Sequence, residues 1–365
     1  MGFSKPWPKP GPPSLAGKTA ADRTTSENRP FVEQALHIFM DQQRTEHLVW
    51  AENARGLAIF LVVLGHAAIP AQVKAAIYGF HMHLFFFLSG LFFSARLPFG
   101  STTAKKARTL ILPYLLYGFL GYGIWLFRIL VVHNAPSGIN LIYPFFDILT
   151  FRSFWFLPVL FVVTLLFYPV HGLVTRKTYL PFLVMLALLH SATQAYGLTP
   201  YVGTLVHAFN ALVFFGFGFL YRQHTQPSDW RIGAGAAVIF AVAFLLGYPS
   251  YGLETIGRVS NYFYAYTLAF TGIVASITLC YRIPRNPIFS FLGVNSLLIY
   301  LLHNYPGALY SRVFASMGIT QSALPPVIYG LLQACTNILL LTPGILIINR
   351  FLPWTLGKSP TFKHR

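Results

Sequence analysis

Arg55 and His66 stand eleven residues apart in the apolar run Ala54-Arg-Gly-Leu-Ala-Ile-Phe-Leu-Val-Val-Leu-Gly-His-Ala67. Ionisable side chains are costly in such a setting, so their presence points to function. At 100° per residue the spacing is close to three whole turns, which puts both on one helix face, with the imidazole about 16 Å from the guanidinium at 1.5 Å per residue. One face would thus join an anion-binding group at the membrane surface to a base near the bilayer centre, and a histidine near neutral pKa suits a base or a nucleophile. The plainer alternative makes Arg55 a topological anchor and His66 a hydrogen-bonded core residue.

Other groups extend the pattern. In Phe80-His-Met-His-Leu-Phe-Phe-Phe-Leu-Ser-Gly90, His81 and His83 would face opposite sides of a helix, so they are not expected to chelate one metal together. Ser89-Gly90 fits close helix packing. No nucleophile-elbow pattern surrounds Ser89. Arg96, Lys105, Lys106 and Arg108 precede Pro113 and read as a topology signal or as a clamp for a polyanion such as the phosphates of coenzyme A. Trp155 stands where an interfacial aromatic is expected. His303 closes the run Phe291–Asn304 about 22 Å along its helix. Acids beyond the N-terminal tail are Glu52, Asp147, Asp229 and Glu254. Glu52 lies one turn before Arg55 and could pair with it or hold it in place. Asp147 and Glu254 could orient a histidine or bind a hydroxylated acceptor. His133, His171, His190, His207 and His224 have no partners in the sequence pattern and are not expected to act directly.

Membrane-spanning elements must hold these groups. Of 365 residues, 55% are hydrophobic and 10% charged, against about 45–50% and 25% in soluble domains. Apolar segments at 55–72, 77–95, 109–132, 154–172, 179–196, 202–221, 232–249, 261–281, 288–308 and 325–349 approximate the roughly 20 residues a span needs; 141–149 is apolar but short, and 77–95 could re-enter rather than cross. An all-α polytopic bundle of about ten transmembrane helices follows. The net charge of +17, with 26 Lys and Arg against nine acids, sits in loops, which favours topology and anionic headgroups or cofactors over nucleic acid. The charged connections alternate, so both termini are expected in the cytoplasm. Residues 1–46 read as a basic, Pro-rich disordered tail, 47–350 as the membrane domain and 351–365 as a second tail. Cys280 and Cys335 support neither a disulfide framework nor a zinc site.

These stretches together resemble the acyltransferase-three family of membrane acyltransferases, which includes sugar and polysaccharide O-acetyltransferases. The likeness rests on Glu52-Asn-Ala-Arg55-Gly-Leu-Ala with His66, on Phe80-His-Met with Leu84-Phe-Phe-Phe-Leu-Ser-Gly90, on Arg108 to Pro113-Tyr114, on Trp155-Phe-Leu157, and on Leu292-Gly293 through Asn295-Ser296 and Ile299-Tyr300 to His303. The motifs keep the family's order from about residue 50 to 305. His83 departs from it, since relatives with the His-Met element usually carry Pro there. The esterase-like domain of some relatives is not found, so a partner protein is expected if transfer proceeds in two stages.

The resemblance implies transfer of an acyl group, acetyl above all, from cytoplasmic acyl-CoA as donor substrate to a hydroxyl of a carbohydrate or lipid-linked glycan, with no permanently bound cofactor and no metal. It implies His66 as base or acylated nucleophile, assisted by Arg55, His303 and Glu52. Arg55, Arg108, Lys105 and Lys106 are expected on the donor, and His81, Ser89, Trp155 and Tyr300 on the acceptor. The expected location is a cell (inner or plasma) membrane. A transporter or flippase for a lipid-linked sugar is the main rival, and an inactive membrane scaffold a third reading.

Overall fold

The computed structural model describes residues 49–132, 142–195, 199–222, 229–247, 259–321 and 323–358. The tail 1–46, His133, His224, Glu254 and residues 359–365 lie outside them. Most of the described residues are helical, with no strand among them.

Helix α1 covers residues 49–65, followed by α2 (Ala71–Tyr78) and α3 (His81–Leu91). A long helix α4 (Phe99–Val131) contains a π-helical turn at Ala107–Ile111. Then come α5 (Tyr143–Leu149), α6 (Phe156–Val170), α7 (Tyr179–Ala195), α8 (Thr199–Tyr221), α9 (Trp230–Gly247) and α10 (Val259–Arg282). The last are α11 (Pro287–Val294), α12 (Ser296–Leu302), α13 (Gly307–Ser316) and α14 (Pro326–Phe351), with a 3₁₀ turn at Pro353–Leu356.

Five of these helices or their parts, Phe99–Val131, Thr204–Tyr221, Trp230–Gly247, Tyr264–Arg282 and Pro326–Phe351, are long and apolar enough to cross a membrane. Leu245 and Leu246 on α9 are 74% and 78% exposed, an outward apolar face that only lipid covers without cost. Ten segments were expected; the first, second and ninth are shorter than their hydropathy implied. α1 stops at residue 65, where the chain tightens through Ala67 N–H to the Leu64 carbonyl at 3.0 Å and then meets Pro70. The segment 77–95 yields only the 11-residue α3. The run 288–308 is broken at Asn295, whose side chain donates to the Phe291 carbonyl at 2.8 Å and accepts from Asn349 at 2.7 Å; such back-bonding offers the backbone an alternative to the helix. The expected tail after residue 350 begins instead as folded chain. Tyr117 bonds Thr355 at 3.1 Å, and Gly357, at φ +68°, lies against the Arg108 backbone.

Glycines set the closest approaches. A Cβ on Gly90 would strike the Phe215 carbonyl and one on Gly218 the Phe87 carbonyl, so α3 and α8 touch backbone to backbone. Gly56 and Gly293 do the same for α1 and α11, with Phe289 and Glu52 as the opposed residues. Asn286 caps α11, accepting from the Ile288 and Phe289 N–H groups, with Pro287 in the first turn. Asn53 Nδ2 donates to the Ile283 carbonyl at 2.9 Å and Trp50 stacks on Tyr281.

These contacts collect the basic connections at the end where α1 begins. Arg222 donates to the Phe93 carbonyl at 2.7 Å, Arg55 lies over the Phe92 ring at 5.3 Å, and Tyr168 donates to the Leu97 carbonyl at 2.7 Å. His66 at the other end of α1 lies beside Tyr78, ring centroids 6.3 Å apart, so α3 descends antiparallel to α1 from the His66 level to the Arg55 level.

Candidate active site

A cavity of about 360 Å³ opens where α1 ends. Its wall takes Val62 and His66 from the end of α1, Tyr78, His81 and His83 from around the start of α3, Trp155, His207 and Asn210 of α8, and Tyr300, His303 and Asn304 from the end of α12. The short α1 and the break at Asn295 together bring His66 and His303 to the same depth. Their ring centroids are 4.6 Å apart at 71°, an edge-to-face pair. His66 is exposed to the cavity, whereas His303 is buried.

Both rings are oriented by backbone. His66 Nδ1 lies 2.9 Å from the Val62 carbonyl and His303 Nδ1 lies 2.8 Å from the Tyr300 carbonyl. A carbonyl only accepts, so each Nδ1 carries a hydrogen, and in the neutral ring each Nε2 keeps its lone pair. The His66 lone pair is thereby available to take a proton from a hydroxyl in the cavity. His81 Nδ1 is fixed in the same way on the Ile77 carbonyl at 2.8 Å, and Tyr78 stacks on its ring at 5.2 Å while donating to the Gly65 carbonyl at 3.1 Å.

The structure brings together some of the residues singled out in the sequence and separates others. His66, His303, His81, Trp155 and Tyr300 share the cavity wall. Tyr300 Oη also accepts from the Phe156 N–H at 3.4 Å. His83 joins them although it was expected to face away from His81, because the cavity caps the first turn of α3, where side chains from opposite faces converge. Ser89 is not part of this wall; its hydroxyl donates to the Phe85 carbonyl one turn back at 2.8 Å. Glu52 acts on the charge of Arg55, but no Glu52–Arg55 ion pair within 4.0 Å is found among the described residues. Its Oε2 accepts from the Ser290 hydroxyl at 3.2 Å, since Gly56 and Gly293 draw α11 against that face of α1. Arg55 lies at the basic end, eleven residues before His66, and Lys105, Lys106 and Arg108 lie near the start of α4, outside the cavity wall. Asp147 pairs with Arg152 at 4.0 Å and lies outside the cavity wall.

Sequence reasoning set His207 aside and did not single out Asn210 or Asn304. His207 reaches the wall because α8 meets α3 through Gly90 and Gly218, and its ring lies 5.6 Å from Trp155. The spacing Gly216-Phe-Gly218 is the signal that could have placed α8 at a close helix crossing. The turn bearing Trp155 is strained: Phe151 and Phe154 hold φ of +60° and +44°, a conformation that costs about 1–3 kcal/mol and concentrates at functional sites. Phe154 and Asn304 also border a second cavity of about 410 Å³ that contains Tyr122 and Trp125. Among the described residues no group of three or more His, Cys, Asp or Glu is placed to hold a metal ion.

In comparisons with known proteins, the family model described as an acyltransferase domain, Acyl_transf_3, matches residues 48–349. No curated protein and no solved structure matched. The matched span takes in α1 to α14, both histidines of the edge-to-face pair and Arg55, which covers most of the chain. With several apolar helices long enough to cross a bilayer and this match across them, the chain belongs to the acyltransferase-three family and is a multi-pass membrane acyltransferase.

Proposed function

We propose that the protein is an O-acyltransferase of the cell membrane that moves an acyl group, acetyl above all, from acyl-CoA to a hydroxyl of a carbohydrate or lipid-linked glycan. The observation that carries this reading is the His66–His303 pair, with the Nε2 lone pair of His66 exposed in the cavity. The basic end faces the cytoplasm, as do both termini, and Arg55, Lys105, Lys106 and Arg108 hold the CoA phosphates there. The thioester reaches inward along α1. The acceptor enters the cavity against His81, His83, Trp155, His207 and Tyr300, whose aromatic faces and polar edges suit a sugar ring.

In the transfer step His66 Nε2 takes the hydroxyl proton as the acceptor oxygen attacks the thioester carbonyl carbon. The carbon–oxygen bond forms, the carbon–sulfur bond breaks, and the leaving thiolate recovers the proton from the imidazolium. Donor and acceptor are held in place for one step, so no permanently bound cofactor enters it.

Purified protein in vesicles, given acetyl-CoA labelled in the acetyl group and native lipid and glycan extract as acceptor source, is expected to move label off CoA onto one extract component that gains the mass of one acetyl group. Movement of glycan or lipid across the bilayer with no consumption of acetyl-CoA would overturn the reading in favour of a carrier.

A second expectation concerns the donor. Arg55→Ala should raise KM for acetyl-CoA about 10–100-fold, the weight of a charge-assisted hydrogen bond, with kcat nearly unchanged. Arg55→Lys should recover only part of the loss, because an ammonium does not reproduce the guanidinium fork. Steady-state kinetics at varied acetyl-CoA checks both; an unchanged KM removes Arg55 from the donor site.

A further inference from the structure

A smaller cavity of about 70 Å³ shares His66, His303 and Asn304 with the main one. It is bordered by His66, His303, Asn304, Gln333 and Asn337. Asn337 is fixed: its Nδ2 donates to the His303 carbonyl at 2.7 Å, which settles the amide orientation and leaves Oδ1 as an acceptor. His303 is fixed as well, since Nδ1 serves the Tyr300 carbonyl and Nε2 is an acceptor. His303 and Asn337 are 4% and 8% exposed. His303 Nε2 and Asn337 Oδ1 are buried acceptors that no protein donor reaches. Gln333 Oε1 accepts from the Ala68 N–H at 2.8 Å, which leaves its Nε2 as a donor group at the same cavity, although it bonds neither acceptor directly.

Two buried acceptors on residues that border one small polar cavity call for a species with two hydrogens to give, and the space is large enough to admit water. We propose that this cavity binds an ordered water that donates one hydrogen to His303 Nε2 and the other to Asn337 Oδ1, and that Asn337 is thereby a positioning residue for acyl transfer. The inference rests on the reading of His66 as the group that takes the acceptor's proton. It also says why one histidine of two with the same tautomer does so. The water and Asn337 occupy the lone pair of His303 and hold its ring, so the lone pair that an incoming hydroxyl meets is that of His66. Asn337 touches neither substrate; it acts through His303.

The test uses the full chain in lipid nanodiscs, with the structure determined at a resolution that shows ordered waters, and turnover of labelled acetyl-CoA with native lipid and glycan extract as acceptor. Density for one water within hydrogen-bond distance of both atoms is expected in the parental protein. Asn337→Leu keeps the shape and removes both polar atoms; it should lose that density and lower kcat about tenfold, the size of one hydrogen bond, with KM for acetyl-CoA unchanged. Asn337→Asp, buried and therefore held as the neutral acid, donates its hydroxyl hydrogen to the His303 carbonyl and keeps the other oxygen as the water's acceptor, so it should retain the density and most of kcat. A purely structural role would make the two variants equal. Equal variants, or parental turnover without density, overturn the proposal. Density without any parental turnover would instead overturn the assignment of His66 and the positioning role with it. Should Asn337→Leu fail to fold, the parental density and the Asn337→Asp kinetics decide the matter.

Discussion

His66→Ala in reconstituted vesicles should consume labelled acetyl-CoA about 10²–10⁴-fold more slowly than the parental protein, the usual weight of a positioned general base. The melting temperature should hardly move, because the His66 side chain is exposed to the cavity and, among the described residues, bonds only the carbonyl one turn back. A loss of turnover without loss of stability separates a chemical role from a structural one. Parental turnover in the variant would remove His66 from the chemistry. Incubation of the parental protein with acetyl-CoA and no acceptor, followed by mass analysis, then assigns the role. One added acetyl group on the protein identifies His66 as an acylated nucleophile, and an unmodified mass identifies it as a base.

The second large effect lies in the packing. Gly90→Val should destabilise the fold by about 1–3 kcal/mol or more, because the added methyls meet the Phe215 backbone rather than a side chain that can turn away. The expected readout is a lowered melting temperature in detergent together with lost turnover, since α8 carries His207 and Asn210 into the cavity. Gly123→Ala is the control: a Cβ there meets nothing within 4 Å, and helix propensity favours alanine by about 1 kcal/mol. Equal melting of Gly90→Val and parental protein would show that α3 and α8 do not depend on this contact.

Much of this was legible in the residues themselves. The ratio of apolar to charged residues fixes a membrane bundle, and the ordered motifs from Glu52 to His303 identify the acyltransferase family that the comparison bears out. The eleven-residue step from Arg55 to His66 follows α1 without interruption to residue 65 and leaves His66 as the first residue after it. Hydropathy could not show where helices stop inside the apolar layer. A window average reads 55–72 as one segment, yet the tightened turn after Leu64 and Pro70 end it early. It reads 288–308 as another, yet Asn295 prefers its side-chain bonds. Periodicity misplaced His83, because two residues on opposite faces still meet at a helix end. It gave no reason to include His207, whose position depends on a contact between α3 and α8, more than a hundred residues apart in the chain. Nor does the i, i+3 spacing of Glu52 and Arg55 decide the pairing, since Ser290 competes from another helix.

The early end of α1 changes the barrier that the two reactants face. A bilayer presents about 30 Å of hydrocarbon, but Arg55 and His66 are separated by only about 16 Å of helix. On the proposed reading, an acceptor that enters from the side opposite the basic end and a donor held at the basic end would need to meet across only that distance. Neither polar reactant would then be carried across the full insulating layer, and the acyl group alone would pass between them.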